Sequence, residues 1–149
     1  MNKKEVGVEF RKLRPNAIIP IYAHPGDSGM DLFSCDSCHL KPGERRLFPV
    51  GLQVGIPEGY EMQIRSRSGL ALRSGISVLN SPGTVDSGYR GELGVILINH
   101  SPYEYFIQVG DKIAQAVISQ VERAVLKEVN ELSQTSRGEG GFGSTGLSS

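Results

Sequence analysis

Between Asn80 and Glu92 the chain reads Asn-Ser-Pro-Gly-Thr-Val-Asp-Ser-Gly-Tyr-Arg-Gly-Glu. This stretch sets an amide (Asn80), a carboxylate (Asp86) and an aromatic ring (Tyr89) among turn-forming residues. An amide and local backbone can read a heterocyclic base, and a carboxylate can take a proton from water. The same residues also suit a long polar loop with no chemistry. Upstream, Arg65-Ser66-Arg67-Ser68-Gly69 places two guanidinium groups beside two hydroxyls. That combination binds phosphate through charge-assisted hydrogen bonds, or it is simply a solvated strand end. Gly29-Met30-Asp31-Leu32 puts one carboxylate between apolar residues. It serves either as a turn acceptor or as part of a site for a hard cation. Singly, none of these clusters decides a function.

The composition changes from Ser133 onward, to Ser-Gln-Thr-Ser-Arg-Gly-Glu-Gly-Gly-Phe-Gly-Ser-Thr-Gly. Such a segment buries too little apolar surface to offset its backbone entropy, so it is expected to be mobile until something binds it. Gly138, Gly140 and Gly143 spell G-x-G-x-x-G. A dinucleotide fold needs a helix and an acidic residue well beyond that pattern, and residues 144–149 do not supply them. Ser144 stands where a P-loop carries lysine. Glycines still let backbone N–H groups converge on an anion. Composition alone leaves filler and phosphate binding both open, while Arg137, Phe142, Ser144 and Thr145 argue against filler. Cys35-Asp-Ser-Cys38-His39 matches a haem-attachment pattern and a redox or zinc half-site. With only two cysteines, the chain cannot build a Cys₄ or Cys₃His zinc site. The pair is read as part of a solvent-facing turn.

The elements that must position these clusters read as strands. Val6, Val8 and Phe10 alternate with polar residues, and Leu47 to Ile56 carries a second apolar series. Met62 and Ile64 precede the arginine cluster, and Ile76, Val78 and Leu79 precede Asn80. Leu93 to Ile98 is nearly continuous, as expected for a strand buried on both faces. Ile107 and Val109, Ile113 to Ile118, and Val121 to Val129 complete the series, the last preferred as a strand over a helix. Ala71-Leu72-Arg73 suits one helical turn. Asn80 to Glu92 reads as a hairpin-like connection. Turn signals between short strands favour an all-β sandwich or barrel.

The chain's 149 residues suit one domain with a real core. Its 16 Lys+Arg balance 16 Asp+Glu, which does not suit a non-specific nucleic-acid or membrane binder. No apolar run of signal length follows the charged start, and none approaches the roughly 18 residues of a membrane helix. A soluble cytoplasmic protein is expected.

In this order, the clusters resemble the trimeric all-β dUTPase family (deoxyuridine triphosphate nucleotidohydrolases). Its five motifs are matched by Ser28-Gly-Met-Asp-Leu32, Arg67-Ser-Gly-Leu-Ala71, Asn80 to Glu92, Gly110-Asp-Lys-Ile-Ala-Gln-Ala116 and Arg137-Gly-Glu-Gly-Gly-Phe-Gly-Ser-Thr-Gly146. The resemblance implies a jelly-roll-like β domain over residues 1–134 and a flexible tail over residues 135–149. It also implies a homotrimer whose sites are shared, with a neighbour lending the tail. The implied reaction converts dUTP to dUMP and pyrophosphate with Mg²⁺, limiting uracil entry into DNA and supplying dUMP for thymidylate synthesis. Asp31 matches the acidic residue that helps place magnesium, through water. Arg67, Ser68, Gly69 and Gln115 match phosphate-site residues, and Asn80 and Tyr89 match uracil and deoxyribose contacts. Asp86 matches the base that prepares the water. Arg137, Phe142, Ser144 and Thr145 match tail residues over the γ-phosphate or the uracil. Implied partners are dUTP and further copies of the chain, with no nucleic acid and no membrane. Ser66 stands where the family often has proline, and Gly88 makes the third motif looser. A dCTP deaminase shares this fold family but needs neither the aspartate of this loop nor the tail. A nucleotide-sensing protein is the alternative of another class.

Overall fold

Period-two alternation resolves into short antiparallel strands. The computed structural model describes residues 4–148. Among them are β1 (Glu9–Lys12), β2 (Met30–Phe33), β3 (Cys38–Leu40), β4 (Arg45–Pro49), β5 (Leu52–Gly55) and β6 (Tyr60–Arg65). Helix α1 (Ser68–Ser74) follows, then β7 (Ile76–Val78), β8 (Gly83–Val85), β9 (Gly94–Asn99), β10 (Tyr105–Ile107) and β11 (Lys112–Gln120). The strands form sheets of order β2-β11-β6-β8, β4-β9-β7, β1-β5 and β10-β3. The all-β expectation holds.

Inward residues of all four sheets share one core. Leu32, Leu40, Phe48, Leu52, Met62 and Leu97 are fully buried, each contributing roughly 1.5–3 kcal/mol relative to exposure. In β6, Met62 and Ile64 point inward while Gln63 and Arg65 do not. That parity delivers Arg65 to the strand end and the chain to Ser66 and Arg67.

Several expectations need correction. β9 buries Val95, Leu97 and Asn99 but only half-covers Gly94, Ile96 and Ile98. Its sheet is covered on one face within this chain, so the continuous apolar run is not buried on both sides. The first strand begins only at Glu9, although Val6, Val8 and Phe10 are all half-buried as their alternation required. The single turn expected near Ala71 is a seven-residue helix. Gly75 ends it in the left-handed region at φ 66, its N–H reaching Ala71 O.

Val121 to Val129 forms no strand, and every residue from 121 to 139 is exposed. Alternation supplies the propensity, but a strand also needs an edge to bond to, and none lies alongside within the described chain. The cysteines are not in a solvent-facing turn. Cys35 and Cys38 are both buried. Cys35 Sγ donates to Val50 O at 3.2 Å, and Arg46 Nη1 donates to Cys38 Sγ at 2.9 Å. Burial pushes the Cys35 thiol up, keeping it protonated. His39, next along β3, points outward, stacks on Phe106 and meets Glu104. Adjacent strand residues face opposite ways, so Cys38 and His39 do not converge on a shared ligand.

Candidate active site

The loop from Leu79 to Leu93 joins neighbours β7 and β9, as a hairpin does, but carries β8 within it. β8 crosses to the other sheet and pairs with β6, Met62 against Val85 and Ile64 against Gly83. This crossing opens a cleft of about 160 Å³ walled by Ile64, Val78, Thr84, Val85 and Ile96. Asn80, Asp86 and Tyr89 all line it. The pattern thus brings an amide, a carboxylate and a ring to one space, from positions nine residues apart at most. Gly83 lies against Asn80, where an added Cβ would already touch the amide nitrogen at 3.4 Å.

The carboxylate end of this loop is anchored from behind. Arg14 Nε and Nη2 donate to the two carboxylate oxygens of Glu92 at 2.7 and 3.1 Å. The hydrogen bond to Glu92 raises the Arg14 pKa further. Gln53 Nε2 donates to Arg90 O, and the Tyr89 hydroxyl donates to Glu92 O at 3.0 Å. A turn bond from Tyr89 N–H to Asp86 O, 3.1 Å, sets Asp86 and Tyr89 relative to each other.

A second cluster forms where β2, β11 and β6 lie side by side. Gln115 of β11 stands opposite Asp31 on one flank and Arg65 on the other. Arg67 Nε lies 3.5 Å and Lys112 Nζ 3.2 Å from the Asp31 carboxylate. Arg67 also donates to Lys112 O at 3.1 Å, and Gln115 Nε2 donates to Ser66 O at 3.0 Å. Gly29 leaves room for that glutamine, since a Cβ there would collide with its side-chain oxygen. Ser68 and Gly69 open α1 directly after Arg67. Ile64 of the cleft wall and Arg67 of the second cluster lie three residues apart at the end of β6 and line separate pockets.

Lys112 escaped the reading of side chains in the sequence. Its signal was its place inside Gly110 to Ala116, three residues before Gln115. Arg14 was missed as well, since nothing local ties it to Glu92. The tail residues stand apart from both clusters. Arg137 Nε bonds only its own turn, to Gly140 O at 2.9 Å. Phe142 is fully exposed and holds the left-handed φ of 49°, a conformation unusual for a bulky side chain. Ser144 and Thr145 are exposed too.

A sequence model of the family described as dUTPase matches residues 15–146. The chain belongs to the dUTPase family. The deoxyuridine 5'-triphosphate nucleotidohydrolase of Gloeothece citriformis is 54% identical over 142 residues, 95% of this chain and 98% of that protein. The enzyme of the same name from Wolinella succinogenes is 53% identical over 145 residues, 97% of each chain. The dUTPase of Staphylococcus bacteriophage 80alpha, solved with dUPNHPP, superposes with a TM-score of 0.85 at 30% identity. That match covers 95% of this chain and 99% of the phage chain. Another solved relative, a mutant dUTPase from phage phi11 of S. aureus, coordinates a structural Mg(II) ion. The dUTPase match takes in both clusters and most of the glycine-rich tail.

Proposed function

We propose that this dUTPase-family chain hydrolyses dUTP to dUMP and pyrophosphate, limiting uracil entry into DNA and supplying dUMP for thymidylate synthesis. The observation that carries the reading is the cleft shared by Asn80, Asp86 and Tyr89, and the Arg67–Asp31–Lys112 cluster supports it as a place for phosphates. The cleft takes the nucleoside and the cluster takes the phosphates.

In this reading Asn80 and the β8 backbone read uracil. Cytosine carries an amine where uracil carries a carbonyl, so it leaves buried groups unpaired. Tyr89 packs under the deoxyribose. Arg67, Ser68, Gly69 and Gln115 hold the phosphates, with Lys112 adding a cation. Asp86 takes the proton of a water that attacks the α-phosphorus in line, and pyrophosphate leaves. Among the described residues, no group of three or more His, Cys, Asp or Glu could cage a metal. One carboxylate beside a phosphate site nonetheless suits magnesium, which keeps waters and takes oxygens from phosphates. Asp31 would hold Mg²⁺ through water; when bound, it offsets the charge of the triphosphate.

We place the β domain over residues 1–134 and a flexible tail that closes the site over residues 135–149, with residues 1–3 and 149 outside the described residues and Arg137, Phe142, Ser144 and Thr145 over the nucleotide. The working unit is a homotrimer with a jelly-roll-like subunit. Its support is the segment after β11, where Val121, Val125, Leu126, Val129 and Leu132 are all exposed. Such a row of apolar groups, without an edge to pair with in its own chain, suits a neighbouring copy. No helix among the described residues is long and apolar enough to cross a membrane, and the cytoplasm is the proposed compartment.

The deciding assay measures pyrophosphate release from dUTP, dCTP, dTTP and UTP, with and without magnesium. Release from dUTP alone is the expected result. Ammonia from dCTP would establish a deaminase instead. Tyr89→Ala is expected to raise UTP turnover relative to dUTP, because the ring no longer blocks a 2′-hydroxyl. An unchanged UTP to dUTP ratio of kcat/KM would remove Tyr89 from sugar discrimination.

A further inference from the structure

Asp86 and Tyr89 line the base cleft, whereas Arg90, next along the chain, does not. Its side chain folds back over the turn that they form. Arg90 Nη1 donates to Ser87 O at 2.8 Å and to Tyr89 O at 2.9 Å. The same nitrogen reaches Val54 O of β5 at 3.4 Å. The carbonyl of Arg90 accepts from Gln53 Nε2, also of β5, at 2.6 Å. Backbone and side chain of one residue thus fasten the turn to a strand outside the loop. β5 is paired along its length with β1 and buries Leu52 and Val54, so it is a firm support.

The turn needs that support. One backbone bond closes it, Tyr89 N–H to Asp86 O, and Gly88 stands inside it. A Cβ at Gly88 would meet nothing within 4 Å, so neither its own side chain nor its neighbours restrict it. The peptide group is planar, so a held carbonyl orients the whole peptide unit. Holding Ser87 O and Tyr89 O therefore fixes the units before Gly88 and after Tyr89. We propose that Arg90 is a positioning residue whose guanidinium locks the Asp86–Tyr89 turn, setting the carboxylate and the ring together. It acts through the turn and not on the nucleotide. The proposal rests on the dUTPase reading of the site. Lysine cannot take its place, because its stem is one atom shorter and it lacks the planar fork.

The test measures kcat for dUTP and the UTP to dUTP ratio of kcat/KM in the unsubstituted chain, Arg90→Ala and Arg90→Lys. The thermal midpoint is measured alongside. A reacting group misplaced by about 1 Å costs on the order of 10²-fold in rate. Arg90→Ala is therefore expected to lose roughly ten- to a hundredfold in kcat and to raise the UTP to dUTP ratio. Arg90→Lys keeps the charge without the reach and is expected to share both defects. Guanidinium added far below denaturing concentrations is expected to restore part of the kcat of Arg90→Ala and to leave the unsubstituted chain unchanged. Normal kcat and ratio in either variant overturn the proposal. So does a fall in kcat with the ratio unmoved, or a loss that guanidinium does not restore, since a merely structural residue gives those results. Asp86→Asn and Tyr89→Ala are the controls for the two readouts. If these controls leave kcat and the ratio unmoved, or the unsubstituted chain releases no pyrophosphate from dUTP, the reading of the site falls, and the proposal with it.

Discussion

Asp86→Asn is expected to bind dUTP with near-normal affinity and to lose at least about 10²-fold in kcat, the lower bound for a well-placed general base. The two side chains match in size, so the cleft keeps its shape. Asparagine keeps the loop's turn, because Tyr89 N–H bonds the backbone oxygen at position 86 and not the side chain. What disappears is a carboxylate able to accept a proton. No ion pair among the described residues engages Asp86, so removing its charge leaves no buried cation unpaired. Stability should therefore change little. Single-turnover kinetics and dUpNHpp binding together check this, and near-normal turnover would end the assignment of Asp86 as base.

Ending the chain after Ser136 is expected to leave a folded trimer with activity reduced on the order of 10²-fold or more. Misplaced or solvent-exposed reacting groups lose rate on that scale. The fold half of this expectation follows from burial. Among the described residues the last buried one is Val117, and the apolar row from Val121 to Leu132 is retained. The activity half follows from what is removed: Arg137, the exposed Phe142, Ser144 and Thr145. In the proposed closure, the tail would exchange its conformational freedom for contacts and exclude water from the phosphates. Light scattering gives the assembly and pyrophosphate release gives the rate. Full activity in the shortened chain would refute the lid, and a monomer would move the assembly contacts into the tail.

Much of the sheet structure was legible because parity is local. Val95 and Leu97 point one way, and Met62 and Ile64 do so in β6; the sequence shows that by inspection. The grouping of Asn80, Asp86 and Tyr89 was legible for the same reason, since one loop holds all three. Val121 to Val129 misled because alternation reports willingness to pair, and pairing depends on an edge that the described residues do not place beside it. The cysteine pair misled because C-x-x-C-H reads as a motif in sequence, while β3 turns Cys38 inward and His39 outward. The cation cluster was half legible. Arg67 and Asp31 stood out as residue types. Their meeting with Lys112 depends on β11 lying between β2 and β6, a long-range pairing that residue patterns leave open.

Two carboxylates occupy the loop from Asn80 to Glu92, and Arg14 has claimed one of them through both its oxygens. Glu92 is thereby committed to holding the loop and is withdrawn from proton transfer. In the proposed mechanism this loop then holds no second carboxylate to stand in for Asp86. Freeing Glu92 by removing Arg14 would not create one, because the same change unties the loop end on which Tyr89 also leans through its hydroxyl. Redundancy and placement are in opposition here, and one ion pair settles the matter in favour of placement.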